Sequence, residues 1–188
     1  MKTLALFDFD GTLYRKDSLF EFTKFAKGKV AFYLGMLSLL PSLIIFKLKI
    51  ITNETAKTKF INHFYKDMSQ DEFTLLAKDF ALHMISQDLN SQIFNSFCNH
   101  LQANHQVCIV SASCKDWIQP WSDQHSAKFI GTELEIQHGK ITGNFSTKNC
   151  YGPEKVNRIK EQFDLSEFDR IIVYGRGKGD REMLQLSK

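Results

Sequence analysis

The sequence is short of proline and of any paired-cysteine pattern, and each shortage excludes something. Three prolines in 188 residues leave little room for a loop-rich or extended scaffold. The four cysteines, Cys98, Cys108, Cys114 and Cys150, form no C-x-x-C pair and fit no zinc spacing. They read as free thiols, which points to a reducing cytoplasm. The first residues, MKTLALFDFDG, hold too short an apolar stretch for a signal peptide, and acids interrupt it at once. Net charge is only +3 and the basic residues are scattered, which argues against nucleic acid as a partner. No internal repeat and no low-complexity segment is visible. Nothing between about residue 15 and residue 104 reads as a strand.

What is present is a chain that can bury a core. Hydrophobic residues make up 43 %, and 17 phenylalanines point to large buried rings. Thr3–Phe7 is a short apolar run of strand length that stops at the polar turn Asp8-Phe9-Asp10-Gly11-Thr12. Asp17 and Ser18 offer helix caps ahead of Leu19, Phe22, Phe25 and Ala26. Thr52-Asn53 can start a second helix, with Phe60, Ile61 and Phe64 on one face. Ser69 and Glu72 have capping-box spacing, and Leu89, Ile93, Phe97 and Leu101 share a face. Residues 15–88 therefore read as a helical insert.

From residue 105 the chain alternates. Val107–Val110 reads as a buried strand ending at Ser111-Ala112-Ser113, and a helix is expected over 115–125. Phe129-Ile130 is a further strand, and Leu134–Ile141 a hairpin with a glycine turn. Pro153 suits the first turn of a helix through Ile159. Ile171–Tyr174 is the last strand, ending in Gly175-Arg176-Gly177-Lys178-Gly179-Asp180. Strand, turn and helix in repetition imply an α/β domain with a Rossmann-like, mostly parallel sheet. In such sheets ligands bind beyond the carboxyl ends of strands, where Asp8, Ser111 and the 175–180 loop all fall.

One segment needs separate treatment. Val30–Phe46 runs 17 residues without a charge, near the lower limit for a bilayer span. With Pro41 inside it, two buried helices meeting near that proline are the expectation. A membrane surface is a partner this reading allows but does not favour.

Asp8 and Asp10, two residues apart just past a strand, repel each other unless a cation intervenes. Magnesium, a hard cation that takes oxygen ligands, would resolve the conflict. The plainer alternative is a turn or helix cap built of aspartates.

The longer run Leu4-Ala5-Leu6-Phe7-Asp8-Phe9-Asp10-Gly11-Thr12-Leu13 resembles the first motif of the haloacid dehalogenase superfamily. The pattern resembles that of subfamily IB, the phosphoserine-phosphatase-like hydrolases. The resemblance implies a phosphatase in which Asp8 is the nucleophile that becomes an aspartyl-phosphate. Asp10 would be the general acid and base. Thr12 would help hold phosphate or the turn. Ser111, with its hydroxyl and the following Ala112 amide, matches the second motif and would bind phosphate. Lys155, in Asn149-Cys150-Tyr151-Gly152-Pro153-Glu154-Lys155, matches the third and would offset the nucleophile's charge. Magnesium would be held by the Asp8 carboxylate, the Asp10 carbonyl and Asp180.

The fourth motif departs from the pattern, because Arg176 stands where relatives carry a metal-binding acid. Three accounts stay open. Asp180 takes over the metal, or Arg176 itself binds phosphate, or the protein binds phosphorylated ligands without turnover. The resemblance covers a core of residues 1–14 and 89–188 with a helical-bundle cap over 15–88. Relatives add a strand after the last helix, so it implies a truncated chain or a sheet one strand short. A small phosphorylated metabolite of the phosphoserine type is the expected substrate, with a lipid phosphate as the alternative because of the apolar cap segment. Asp17, nine residues after Asp8, is the candidate contact for a substrate amine, or simply a helix cap.

Overall fold

The computed structural model describes residues 1–188. It opens with β1 (Thr3–Phe7), followed by four helices: α1 (Ser18–Lys27), α2 (Lys29–Lys47), α3 (Asn53–Tyr65) and α4 (Gln70–His83). Then come α5 (Ser91–Gln102), β2 (Gln106–Cys114), α6 (Gln119–Gln124) and β3 (Lys128–Thr132). The antiparallel hairpin β4 (Leu134–Gln137) and β5 (Lys140–Phe145) precedes α7 (Pro153–Gln162), β6 (Arg170–Tyr174) and α8 (Arg181–Leu184).

The main sheet is parallel throughout, in the order β3-β2-β1-β6. β1 lies in its middle and all five of its residues are buried. That explains its unbroken apolar run, since a strand covered on both faces has no reason to alternate. Phe7 pairs with Ile109 on one side and Tyr174 on the other, so the carboxyl ends of three strands lie side by side.

Local details depart from the sequence expectations in four places. β2 runs on to Cys114, with a register shift after Val110, so Ser111 sits inside the strand at an irregularity and not beyond its end. The expected helix over 115–125 is split into a 3₁₀ turn, Lys115–Trp117, and α6. Pro120 has no N–H to continue a helix and is tolerated only in a first turn, so the helix restarts around it. Ser69 makes no side-chain cap, and its backbone bridges to Lys140 of the hairpin instead. Finally, α2 passes through Pro41 as one helix, and only Phe32 and Gly35 in it are buried. The carbonyl that Pro41 leaves without a donor belongs to Leu37, which is exposed, so solvent is available to it.

Beneath the four helices the aromatic content is spent on one cluster. The Phe22 ring stacks on Trp117 at 4.9 Å and meets Tyr65, Phe73 and Phe80 within 5.6 Å. Each such pair contributes about 0.5–1.5 kcal/mol beyond burial. The polar edges are satisfied: Trp117 Nε1 donates to Ser18 Oγ at 3.1 Å, and Tyr65 donates its hydroxyl to Thr23 at 2.8 Å. Trp117 follows β2 directly, so this cluster ties the helical segment to the sheet end where the site forms.

The β4–β5 hairpin clamps the helices from the side. His138 and Gly139 both take positive φ, 51° and 72°, as a two-residue hairpin turn requires. Backbone bonds Asp67 N to Ile141 O and Gln70 N to Gly139 O, 2.8 and 2.9 Å, join it to the α3–α4 connection. Gly143 has φ +93°, and a Cβ there would lie 2.8 Å from Asn62 Cα. Gly143→Ala should therefore lose about 1–3 kcal/mol in urea unfolding. Gly139→Ala, where nothing crowds the added carbon, should lose only about 1 kcal/mol of backbone strain.

Candidate active site

β1 delivers Asp8 at its carboxyl end, and the Asp8 N–H still donates to Tyr174 O of β6 at 2.8 Å. The chain then turns sharply through Gly11, whose φ of +75° suits glycine. That turn brings Thr12 back, and its hydroxyl donates to Asp8 Oδ2 at 2.7 Å.

Lys155 comes from the first turns of α7 and is only 1 % exposed. Its Nζ donates to Asp8 Oδ1 at 2.7 Å, to Asp180 Oδ1 at 2.7 Å and to Val110 O at 2.8 Å. All three protons of the ammonium are used. Asp180 Oδ2 accepts the N–H groups of Gly177 and Arg176 at 2.7 and 3.1 Å, which folds the 175–180 loop around the acid. Arg176 is exposed, and what reaches Asp180 is its backbone and not its guanidinium. Asp180 is thus already in the cluster with Asp8.

Asp10 is held apart from that cluster. Oδ1 accepts Ser18 N–H at 2.7 Å and Oδ2 accepts the Ser113 hydroxyl. Ser111 Oγ accepts Ser113 N–H at 3.0 Å. The Ala112 carbonyl accepts from Lys57 Nζ at 3.0 Å and Thr132 Oγ1 at 2.9 Å. Asp17 caps α1, accepting Phe20 N–H at 3.2 Å.

The electrostatics follow from burial. Desolvation raises the Asp8 pKa, Lys155 pulls it down and Asp180 pushes it up again, with a net rise. Burial alone would lower Lys155, but its two carboxylates outweigh that and hold it above its ordinary value. Asp10 is pushed up to about 6, first by burial and then by repulsion from Asp17, against the bonds from Ser113 and Ser18.

Two buried carboxylates share one ammonium here, so the Asp8–Asp180–Lys155 group is one positive charge short of neutral. The donors are hard oxygens, which suits magnesium, an ion that uses one or two carboxylates and keeps its waters. No set of three or more His, Cys, Asp or Glu side chains converges. The residues fit a magnesium ion held by two carboxylates and not an all-protein cage.

Of the residues singled out from sequence, the structure brings Asp8, Thr12, Lys155 and Asp180 into direct contact, with Ser111 and Ala112 one and two residues past Val110. Three groups were missed. Ser113 binds Asp10, and a hydroxyl at i and i+2 of one strand face was the available signal. Lys57 reaches Ala112 from α3. Asn53 Oδ1 accepts from Asn149 Nδ2 at 2.8 Å, and Glu54 Oε2 accepts the Asn149 N–H at 3.2 Å. Nothing in a helix-start sequence distinguishes such residues from ordinary surface ones.

Removing Lys155 would leave two buried carboxylates facing each other. In chelator at neutral pH, Lys155→Met should lose about 3–5 kcal/mol in urea unfolding. Adding Asp8→Asn should recover part of that loss, because the two changes share one interaction.

The Caulobacter vibrioides protein CicA is 30 % identical to this chain over 188 residues, covering 98 % of it and 82 % of CicA. A Bordetella pertussis crystal structure of unknown function superposes with a TM-score of 0.85 at 21 % identity, covering 100 % of this chain and 87 % of that one. A substrate-bound phosphoserine phosphatase shares the fold at TM-score 0.70 and 15 % identity, covering 100 % and 83 %. The haloacid dehalogenase-like hydrolase model matches residues 5–185. With its site at the carboxyl ends of a parallel sheet, and that match along nearly its whole length, this chain belongs to the haloacid dehalogenase-like hydrolases.

Proposed function

We propose that the protein is a magnesium-dependent phosphomonoester hydrolase working through an aspartyl-phosphate on Asp8. The observation that carries this reading is the Lys155 ammonium bonded to both Asp8 and Asp180. It orients a buried carboxylate, offsets part of the cost of burying its charge and leaves one negative charge for a cation to balance.

In the first half-reaction an Asp8 oxygen attacks phosphorus, and the bond from phosphorus to the substrate oxygen breaks. The leaving oxygen takes a proton from the Asp10 carboxyl. In the second half, Asp10 accepts a proton from water as the water oxygen attacks the aspartyl-phosphate. Inorganic phosphate leaves and both aspartates return to their starting states. A pKa near 6 suits a carboxyl that must give and then take a proton. Lys155 holds the nucleophile, while Ser111 and the Ala112 amide are assigned to the phosphate oxygens. Asp8, Asp180 and the Asp10 carbonyl would hold magnesium, which supplies charge neutralisation at the phosphate. Arg176 meets Asp180 through its backbone N–H, and its exposed side chain is assigned no step.

A small phosphorylated metabolite remains the first substrate class, with Asp17 as its polar contact. One observation favours a second. A cleft of about 160 Å³ lies between α1, α2 and α3, lined by Leu19, Phe20, Leu39, Leu43, Phe46 and Phe60. Asp17 and Lys57 also line it, and Lys57 binds Ala112 at the phosphate strand. A phosphate ester with an apolar tail would fit that cleft.

Phosphate release from an aryl phosphate should require magnesium, vanish in chelator and fall roughly 10³-fold or more in Asp8→Asn. Silence in the natural chain, with turnover appearing in Arg176→Asp, would instead mark a phosphate-binding protein disarmed at one position. For the tail, Leu39→Gln/Leu43→Gln should raise KM for a medium-chain alkyl phosphate by about tenfold with kcat unchanged, leaving phosphoserine untouched. Good turnover of phosphoserine with none on alkyl phosphates sinks the apolar reading.

A further inference from the structure

α2 is apolar around its whole circumference, yet the protein covers only one side of it. Inside, Phe32 packs on Phe20 and Phe64 at 5.8 and 6.2 Å, and Gly35 lies against the Phe64 ring with no room for a side chain. Outside, Val30, Tyr33, Leu34 and Leu37 are between 61 % and 76 % exposed, and Leu40 and Ile44 continue the same stripe. These positions recur every three or four residues, so they form one continuous face. A helix apolar on all sides belongs in a core or in lipid, and this outer face is in no core.

The charges around it choose between occupants. No Asp or Glu occurs from Phe22 through Asn53. Lys24 is paired with Glu21 and Lys27 lies over the Tyr65 ring, but Lys29 before the stripe and Lys47 and Lys49 after it are exposed and have no acid beside them. A second copy meeting this face would bring lysines against lysines with no acid to pair them. A surface of anionic phospholipid offers both complements: acyl chains for the stripe and phosphates for the ammonium groups, whose stems bury as the heads reach outward.

By length and composition α2 could cross a bilayer. Its packing argues otherwise, because standing upright in lipid would strip Phe32 and Gly35 from Phe20 and Phe64. We propose that α2 lies in the plane of the membrane interface, docking the protein on anionic phospholipid through its Val30–Ile44 stripe with lysines at both ends. This proposal does not depend on the hydrolase reading, since the face lies outside the Asp8 cluster.

The test is cosedimentation of the full chain with vesicles of phosphatidylcholine, alone or with phosphatidylglycerol added. Binding is expected on the anionic vesicles, roughly tenfold weaker on the neutral ones, and weakened by salt. Leu34→Glu/Leu37→Glu should abolish it while circular dichroism and aryl-phosphate turnover without vesicles stay unchanged, because both residues face solvent. Lys47→Gln/Lys49→Gln should narrow the preference for anionic lipid. No binding to either vesicle overturns the proposal, as does equal binding by the double-glutamate variant. A dimer in sedimentation velocity that the same variant dissolves, without vesicle binding, would make the stripe a contact between copies and also overturn it.

Discussion

The Lys155 ammonium joins three parts of the chain that are far apart in sequence. Asp8 follows β1, Val110 lies in β2, and Asp180 closes the loop after β6, and all three are bonded to one nitrogen. Burying a lone carboxylate or ammonium costs several kcal/mol, so none of these groups can sit there without the others. The arrangement is self-consistent only when the strands are in register and α7 is docked. It still leaves one negative charge over, which a bound cation would balance. The fold and the chemistry are therefore tied at the same atom.

The helical segment is joined to that centre by two kinds of contact with different roles. Below, the Phe22–Trp117 stack and its neighbours supply apolar area and set where the helices rest. At the rim, Lys57, Asn53 and Glu54 of α3 make polar bonds to the 112 and 149 backbones. The rim bonds are directional and few. The end of β2 and the 149 backbone are thus held by α3, which also shares a cleft with α2.

Much of the site was legible locally. The run from Leu4 to Leu13 carries a strand, a turn and two acids within ten residues, so pattern and chemistry coincide. Ser111, Lys155 and Asp180 were each weak alone, and their order along the chain made them readable together. Ser113 and the α3 residues were not legible, because their roles depend on which segment faces them. Ser69 shows the same limit from the other side: its capping-box spacing was present, but the hairpin claimed its backbone.

Sequence by itself determined the alternation of strands and helices, the helical character of residues 15–88 and the acids at the end of β1. These follow from short-range periodicity and turn chemistry, which neighbours in the chain set. Tertiary structure alone decided that α2 stays whole through Pro41, that one of its faces is left uncovered, and that Arg176 points its backbone and not its charge at Asp180. A helix that is apolar all round gives no sign of which side will be packed. A loop residue gives no sign of whether its amide or its side chain will meet the acid, because both depend on surfaces assembled from distant parts of the chain.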